Sequence, residues 1–362
     1  MNLDVPGDSD RPRSSSSNLT LASDVTTFVR PQLASYEPKN SGDSTIPVLQ
    51  AFMDYLPPGG KKNLVADIAE RKNDDELFQL SLSLVEGLLY RLKAHGKTPS
   101  ITPSPHTGYK ESVEKMASQI TESASRNSQK WLKKACLSRD GNRCVISGSF
   151  DYDTAVKLGE NHDDEIETEL AHIIPFSVAS YGTKEEHHTT SEIWANLVRY
   201  FPSLETRIGL TAESINDTRN AMTMDSILHK QFGNFRLALE PTSQENVYHI
   251  QLYRLPSGVK KHLPSNDMVT FRSHDPRYEL PSAVLLGIHA TVARILHVTG
   301  KGEEAERILR EKEDIGVLAS DGSTNVSTLL SLTNLSSRTA TEQKPTNTAP
   351  HQPVDDKREN IR

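Results

Sequence analysis

The chain has 362 residues and a net charge of −7, from 41 basic and 48 acidic side chains. At roughly 150 residues per domain that length is enough for about two domains. Hydrophobic residues make up 35%, no run approaches the roughly 18 apolar residues of a membrane span, and the polar N-terminus lacks the apolar segment of a secretory signal. Two cysteines, Cys136 and Cys144, exclude a disulfide scaffold or a four-thiolate zinc site within one chain. A reducing intracellular compartment is expected, cytoplasmic or nuclear, with no membrane attachment.

Taken in chain order, residues 1–45 are rich in Ser, Asp, Asn and Pro and read as disordered. From Ile46 apolar residues recur at helical spacing, and Leu77, Leu80, Leu84, Val85 and Leu88 fall on one face. A helical unit over 46–96 is expected, serving either as core or as a surface for a protein partner. Residues 97–124 read as a linker, with three prolines between Lys97 and Lys110. A second unit over 125–316 opens with a helix stopped by Gly141, then a short strand and turn in RCVISGSFD. An acidic loop at 160–169 leads into a strand, ELAHIIPFS, with a proline stop. A helix around IWANLVRYF follows, then a short strand and a helix in NAMTMDSILHKQF. NFRLALEP and NVYHIQLYR alternate with period two about TSQE, a hairpin signal. Two helices close the unit, and 317–362 reads as a disordered tail. The fold class is α+β.

Three residues stand out: His172 in AHIIPFS, Asn220 in NDTRNAMTMD and His229 in SILHKQF. A strand, a connection, a second strand and a helix carry them in that order. With SRDGNRCVISG upstream, the pattern resembles the HNH endonucleases over about 125–300, and within them a fungal-type branch with the blocks RDG-x-RC-x-x-(S/T)G, AHI-x-P and N-x8-H-x-x-F.

The resemblance implies a ββα-metal core, with added helices and a β-hairpin, that hydrolyses nucleic-acid phosphodiesters with one divalent ion, Mg²⁺ or Mn²⁺. DNA is the expected substrate. His172 would be the general base, its ordinary pKa of about 6.5 suiting neutral pH. Asn220 would pin the loop after His172, and His229 would bind the metal. Ala171 stands where many relatives carry a ligand, and Gly233 where many carry an aspartate. A second ligand is sought in Asp225, one helical turn before His229, or in Glu169; Asp225 serves equally well as a helix N-cap. Relatives braced by zinc carry two CxxC pairs; here only Cys144 remains of them, so no structural zinc is expected.

Between Arg126 and Arg143 six basic residues face one acid, Asp140. Lys130, Lys133, Lys134, Arg139 and Arg143 are expected to bind a polyanion. His187 and His188 read as residues of a charged loop, and His289 and His297, on an apolar helix, as packing or capping residues. The competing reading is an inactive HNH-fold module that binds nucleic acid or protein, supported by Ala171 and Gly233.

Overall fold

The computed structural model describes residues 27–93 and 102–313, with side chains through Arg310. The expected tail at 317–362, residues 1–26 of the expected N-terminal disorder and residues 97–101 of the expected linker lie outside the described residues. Residues 27–44 depart from the expected disorder. Helix α1 (Arg30–Ala34) buries Leu33, with Val29 and Tyr36 buried on either side. Asp43 accepts from Tyr36 Oη at 2.5 Å and from the Thr45 amide at 2.8 Å, tying this segment to the next helix. Three apolar anchors among polar residues are too few to register as periodicity.

Helices α2 (Thr45–Tyr55), α3 (Pro58–Ala69) and α4 (Asp74–Leu84) form the expected helical unit. The start of α4 is set locally: Asn73 accepts from the Glu76 amide, and Asp74, Asp75 and Glu76 lie in the positive first turn. A single π turn (Val85–Leu89) carries the chain into α5 (Tyr90–Lys93). Leu77, Leu80, Leu84, Val85 and Leu88 are all buried, so this face is core and is not available to a partner.

The expected linker holds helix α6 (Tyr109–Gln119), whose Tyr109, Val113 and Met116, with Ile120 beyond it, point inward. Their four-three-four spacing is helical, but three nearby prolines masked it. Helix α7 (Arg126–Arg139) is capped by Ser125. After it come β1 (Phe150–Asp151), α8 (Tyr152–Leu158), β2 (Glu165–Ile166) and β3 (Thr168–His172). The acidic stretch read as a loop thus contributes β2, which pairs with β1 in parallel, and the start of β3. Helix α9 (Lys184–Tyr200) packs along α6 and α3. It carries His187 and His188, which are therefore on a helix rather than in a loop.

Strand β4 (Ala221–Asp225) pairs antiparallel with β3, Thr168 opposite Asp225 and His172 opposite Ala221. Helix α10 (Ser226–Gly233) follows immediately. The expected hairpin is β5 (Leu237–Pro241) and β6 (Val247–Leu252), with β7 (Met268–Thr270) added antiparallel to β6. Helices α11 (Ala283–Val298) and α12 (Lys301–Glu313) end the described chain.

All five residues of β4 are buried because both faces of the β3–β4 pair are covered. On one face Leu132 and Cys136 of α7 meet Ala221, with Leu170 packed beside them. The opposite side joins the main core, where Ala171, Met222 and Met224 lie with Leu228 and Phe232 of α10. That core is continuous from Val29 to Ile308. Apolar residues on both sides of the boundaries expected at 46–96 and 97–124 share this core. α2 packs on α11 and α3 on α9, and buried Asp67 of α3 accepts from Arg199 Nε and Tyr200 Oη, each at 2.9 Å. Among the described residues no single helix is long and apolar enough to cross a membrane.

Candidate functional site

His172 ends β3 and is half-buried. Its Nε2 lies 2.9 Å from Asn216 Oδ1. The Asn216 amide nitrogen is committed elsewhere, donating to Ser128 Oγ at 2.8 Å and to the Ser125 carbonyl at 3.3 Å. An acceptor oxygen therefore faces the imidazole. Nε2 carries the proton, and the lone pair of the neutral ring sits on Nδ1. Burial lowers the His172 pKa from the usual imidazole value; the Asn216 bond opposes this, and the charge of His229 adds to it. A neutral ring with one nitrogen held and the other basic is the form a general base needs near neutrality.

Asn220 is fully buried at the end of a 3-10 turn (Thr218–Asn220), immediately before β4. Its Oδ1 accepts from the Ile174 amide at 2.8 Å, and its Nδ2 donates to the carbonyls of Ile174 at 3.0 Å and Ile215 at 2.9 Å. The Asn220 carbonyl also accepts from the Ile173 amide. One side chain thus clamps the turn after His172 to the segment carrying Asn216.

His229 lies on α10, partly exposed, with Nδ1 2.5 Å from Glu169 Oε2 on β3. A carboxylate can only accept, so Nδ1 carries the proton and Nε2 is left with the lone pair. This carboxylate–histidine arrangement fixes the ring of a metal-binding imidazole and raises its basicity.

Asp225, expected beside His229 as a ligand, is instead fully buried and caps α10: Oδ1 accepts from the Ile227 amide at 2.7 Å and Oδ2 from His262 Nδ1 at 2.8 Å. Both oxygens are committed inside the protein. Glu169 is the carboxylate that stands against His229. No group of three or more His, Cys, Asp or Glu among the described residues is placed to enclose a metal. With Glu169 behind the ring, His229 Nε2 would be a single protein donor, and a hard cation such as Mg²⁺ would complete its shell with waters and phosphate oxygens.

The basic run divides. Arg139 is fully buried and is not a nucleic-acid contact. It forms a paired salt bridge with Asp140 at 2.7 and 3.0 Å and donates to the carbonyls of Thr218, Ala221 and Glu279. Asp140 in turn accepts from the Thr223 amide of β4 at 2.8 Å. The helical spacing 132, 136, 139 places Arg139 on the apolar face of α7, a signal present in the sequence. Lys133 Nζ reaches the Thr168 carbonyl at 3.3 Å, and Arg143 donates to the Gly148 carbonyl and lies over the Phe150 ring. Lys130 and Lys134 stay exposed. Beside Asn216 a cleft of about 390 Å³ carries Glu122, Glu213 and Asp217, the wrong sign for a phosphate backbone.

His187 is a packing residue whose Nε2 donates to the Ile120 carbonyl at 2.7 Å. His289 is stacked between Phe232 and Phe235, and His297 against Tyr253. Both cysteines are buried free thiols. Sequence reasoning missed Asn216, Ser125 and Ser128; only the proximity of Asn216 to Asn220 hinted at the first.

Residues 144–240 match the family model for HNH endonuclease. The match takes in His172, Asn216, Asn220 and His229, so this part of the chain is similar to the HNH endonucleases. The RDG block and the closing helices lie outside it. No curated protein and no solved structure matches the chain.

Proposed function

We propose that this protein is a ββα-metal nuclease that hydrolyses phosphodiester bonds of DNA, with His172 as general base and His229 as a ligand of one divalent ion. The observation that supports it best is the antiparallel pair β3–β4 running into α10, with His172 held at one strand end and His229 held by Glu169 on the helix. His172 Nδ1 would take a proton from a water attacking phosphorus in line with the departing 3′ oxygen. The new P–O bond forms as the bond to the 3′ oxygen breaks, and the proton stays on the imidazolium until it returns to solvent. Asn216 keeps Nδ1 as the basic nitrogen, and Asn220 holds the turn in place. A bound Mg²⁺ or Mn²⁺, held by His229 with Glu169 behind it, would relieve charge on the phosphate and the leaving oxygen.

Plasmid nicking in the presence of Mg²⁺ or Mn²⁺ tests the reading. Nicking should vanish in His172→Ala; activity that survives this change unaltered overturns the assignment. Ala171, in place of a ligand, favours a second reading in which the domain binds nucleic acid without cutting it. Calorimetry giving no heat with Mn²⁺, alongside salt-dependent DNA binding, would select that reading.

A further inference from the structure

We infer that the outer face of α7 is a stacking platform for an unpaired base, so that this protein engages single-stranded nucleic acid next to His172. The inference rests on the nucleic-acid reading of the site and adds the form of the strand. Trp131 is 55% exposed, although large aromatic side chains are usually covered. It is one of two tryptophans; the other, Trp194, is buried with its indole nitrogen donating to the Val178 carbonyl.

The exposed indole is held in place. Its ring meets Tyr278 edge to face at 6.0 Å between centroids, and Arg277 lies over the other ring at 5.4 Å. The loop carrying Tyr278 is fastened to α7: the His274 amide donates to the Arg139 carbonyl at 2.7 Å, and Ser138 Oγ donates to Asp275 at 2.7 Å. Asp275 also pairs with Arg277. An indole presented on a fixed support, with much of its surface in solvent, loses little freedom when a flat partner settles on it.

Charge selects the partner. Arg126, Lys130 and Lys134 are exposed on α7 at four-residue spacing, which lines them along one helix face beside Trp131. None of the three forms an ion pair with a described residue. A basic track beside an aromatic surface is how backbone charge and base faces are bound together without sequence readout. The platform also adjoins the catalytic centre. Ser128, one turn before Trp131 on the same helix, holds the Asn216 that holds His172. The cleft that Ser125, Ser128 and Asn216 line carries Glu122, Glu213 and Asp217, so the basic, aromatic face of α7, not that cleft, suits a polyanionic strand. In an intact duplex the bases are stacked on one another and offer no face to Trp131.

The test uses the full chain in EDTA, so that binding is read without cleavage. A short oligothymidylate should quench Trp131 emission, while buried Trp194 gives a constant background; a fully paired duplex of the same length should not quench. Trp131→Phe should lose the quenching, Trp131→Ala should bind the oligonucleotide about tenfold more weakly, and both should melt as the parent does. Lys130→Glu with Lys134→Glu should weaken single-stranded and duplex binding alike. Absence of quenching by the oligonucleotide, equal quenching by the duplex, or unchanged affinity of Trp131→Ala overturns the platform. Cleavage by the metal-loaded parent is read separately: quenching without cleavage removes the nuclease reading and keeps the platform, and cleavage with unaltered Trp131→Ala binding does the reverse.

Discussion

The imidazole of His172 and the carboxamide of Asn216 meet at 2.9 Å across 44 positions of chain. Two serines of α7 fix which end of the carboxamide faces the ring. The tautomer of the proposed base is thus decided by a helix that carries no catalytic group. Asn220 lies four residues on and acts on backbone, so the two asparagines divide the work: one sets the ring, the other sets the turn that bears it.

Asn216→Ala should therefore lower kcat for nicking by about ten- to hundredfold, the range for removing a group that orients a catalytic imidazole, with little change in melting temperature. In the parent, kcat/KM should rise with pH with its midpoint below that of an ordinary imidazole, because burial favours the neutral ring and the catalytic form persists to lower pH. Asn216→Asp keeps an acceptor but adds negative charge, which stabilises the imidazolium. Its profile should shift to higher pH. An unmoved profile would show that Asn216 does not act on His172.

The roles of Glu169 and Asp225 separate by measurement. Titration calorimetry with Mn²⁺ should show binding lost in His229→Ala and weakened about ten- to hundredfold in Glu169→Gln. Asp225→Ala should leave the Mn²⁺ affinity unchanged and instead lower stability by about 0.5–2 kcal/mol for the lost cap, and further for the stranded His262. Loss of Mn²⁺ binding in Asp225→Ala would restore it as a ligand.

Much of this was legible in the sequence. His172 falls at a strand end and His229 on a helix, as their local patterns indicate, Asn220 ends the 3-10 turn one residue before its expected strand, and the hairpin about TSQE forms as the alternation required. What was not legible depends on long-range packing. Arg139 reads as one more surface cation until the carbonyls of Thr218 and Glu279, about 80 and 140 positions away, converge on it. Composition gave no hint that α1 and α6 pack, because their few apolar residues gain value only against surfaces made by distant helices. Asp225 was ambiguous for a different reason: a carboxylate opening a helix serves as cap and as ligand equally well until His262 is seen to take its second oxygen.

Arg139 and Lys134 sit five residues apart and should behave in opposite ways. Arg139→Met strands Asp140 and three carbonyls inside the protein, and breaking a buried pair in this way costs about 3–5 kcal/mol. Urea unfolding should show that loss as a lower midpoint. Lys134→Ala should change stability by no more than about 0.5 kcal/mol and should instead weaken DNA binding with a shallower salt dependence. A stable Arg139→Met protein that fails only to bind DNA would reverse the structural assignment.

Acid should weaken the fold through His289. Burial lowers its pKa from 6.5 to about 3. Between those values the unfolded chain binds the proton and the folded one does not, so stability rises with pH across about 3 to 6.5 and is level above. His289→Gln can still donate to the Phe232 carbonyl but cannot titrate. Its stability should climb less steeply over that window, with a residual slope from His106, lowered by burial to about 4. Parallel pH curves for parent and variant would exclude His289 as a source of acid sensitivity.

The N-terminal helices share one core with the segment that carries His172 and His229, and Gly60 is where their dependence on each other can be tested. A Cβ built there would stand 1.9 Å from the Tyr200 carbonyl oxygen, a backbone atom that cannot swing aside. The close approach of α3 to α9 lets Asp67 reach Arg199 and Tyr200 in a buried site. Gly60→Ala must push the two helices apart, at a cost of about 1–3 kcal/mol or more for overpacking, and the Asp67 bonds stretch with it. Since α9 also packs on α6, and the core runs unbroken to Ile308, the loss should appear in one cooperative transition, followed equally by Trp194 fluorescence and by helical circular dichroism. A chain lacking 46–96 should fail to give that transition at all, because it exposes the faces of α9 and α11 that those helices cover. Two separated transitions, or a shortened chain that melts like the parent, would make the helical unit an appendage after all.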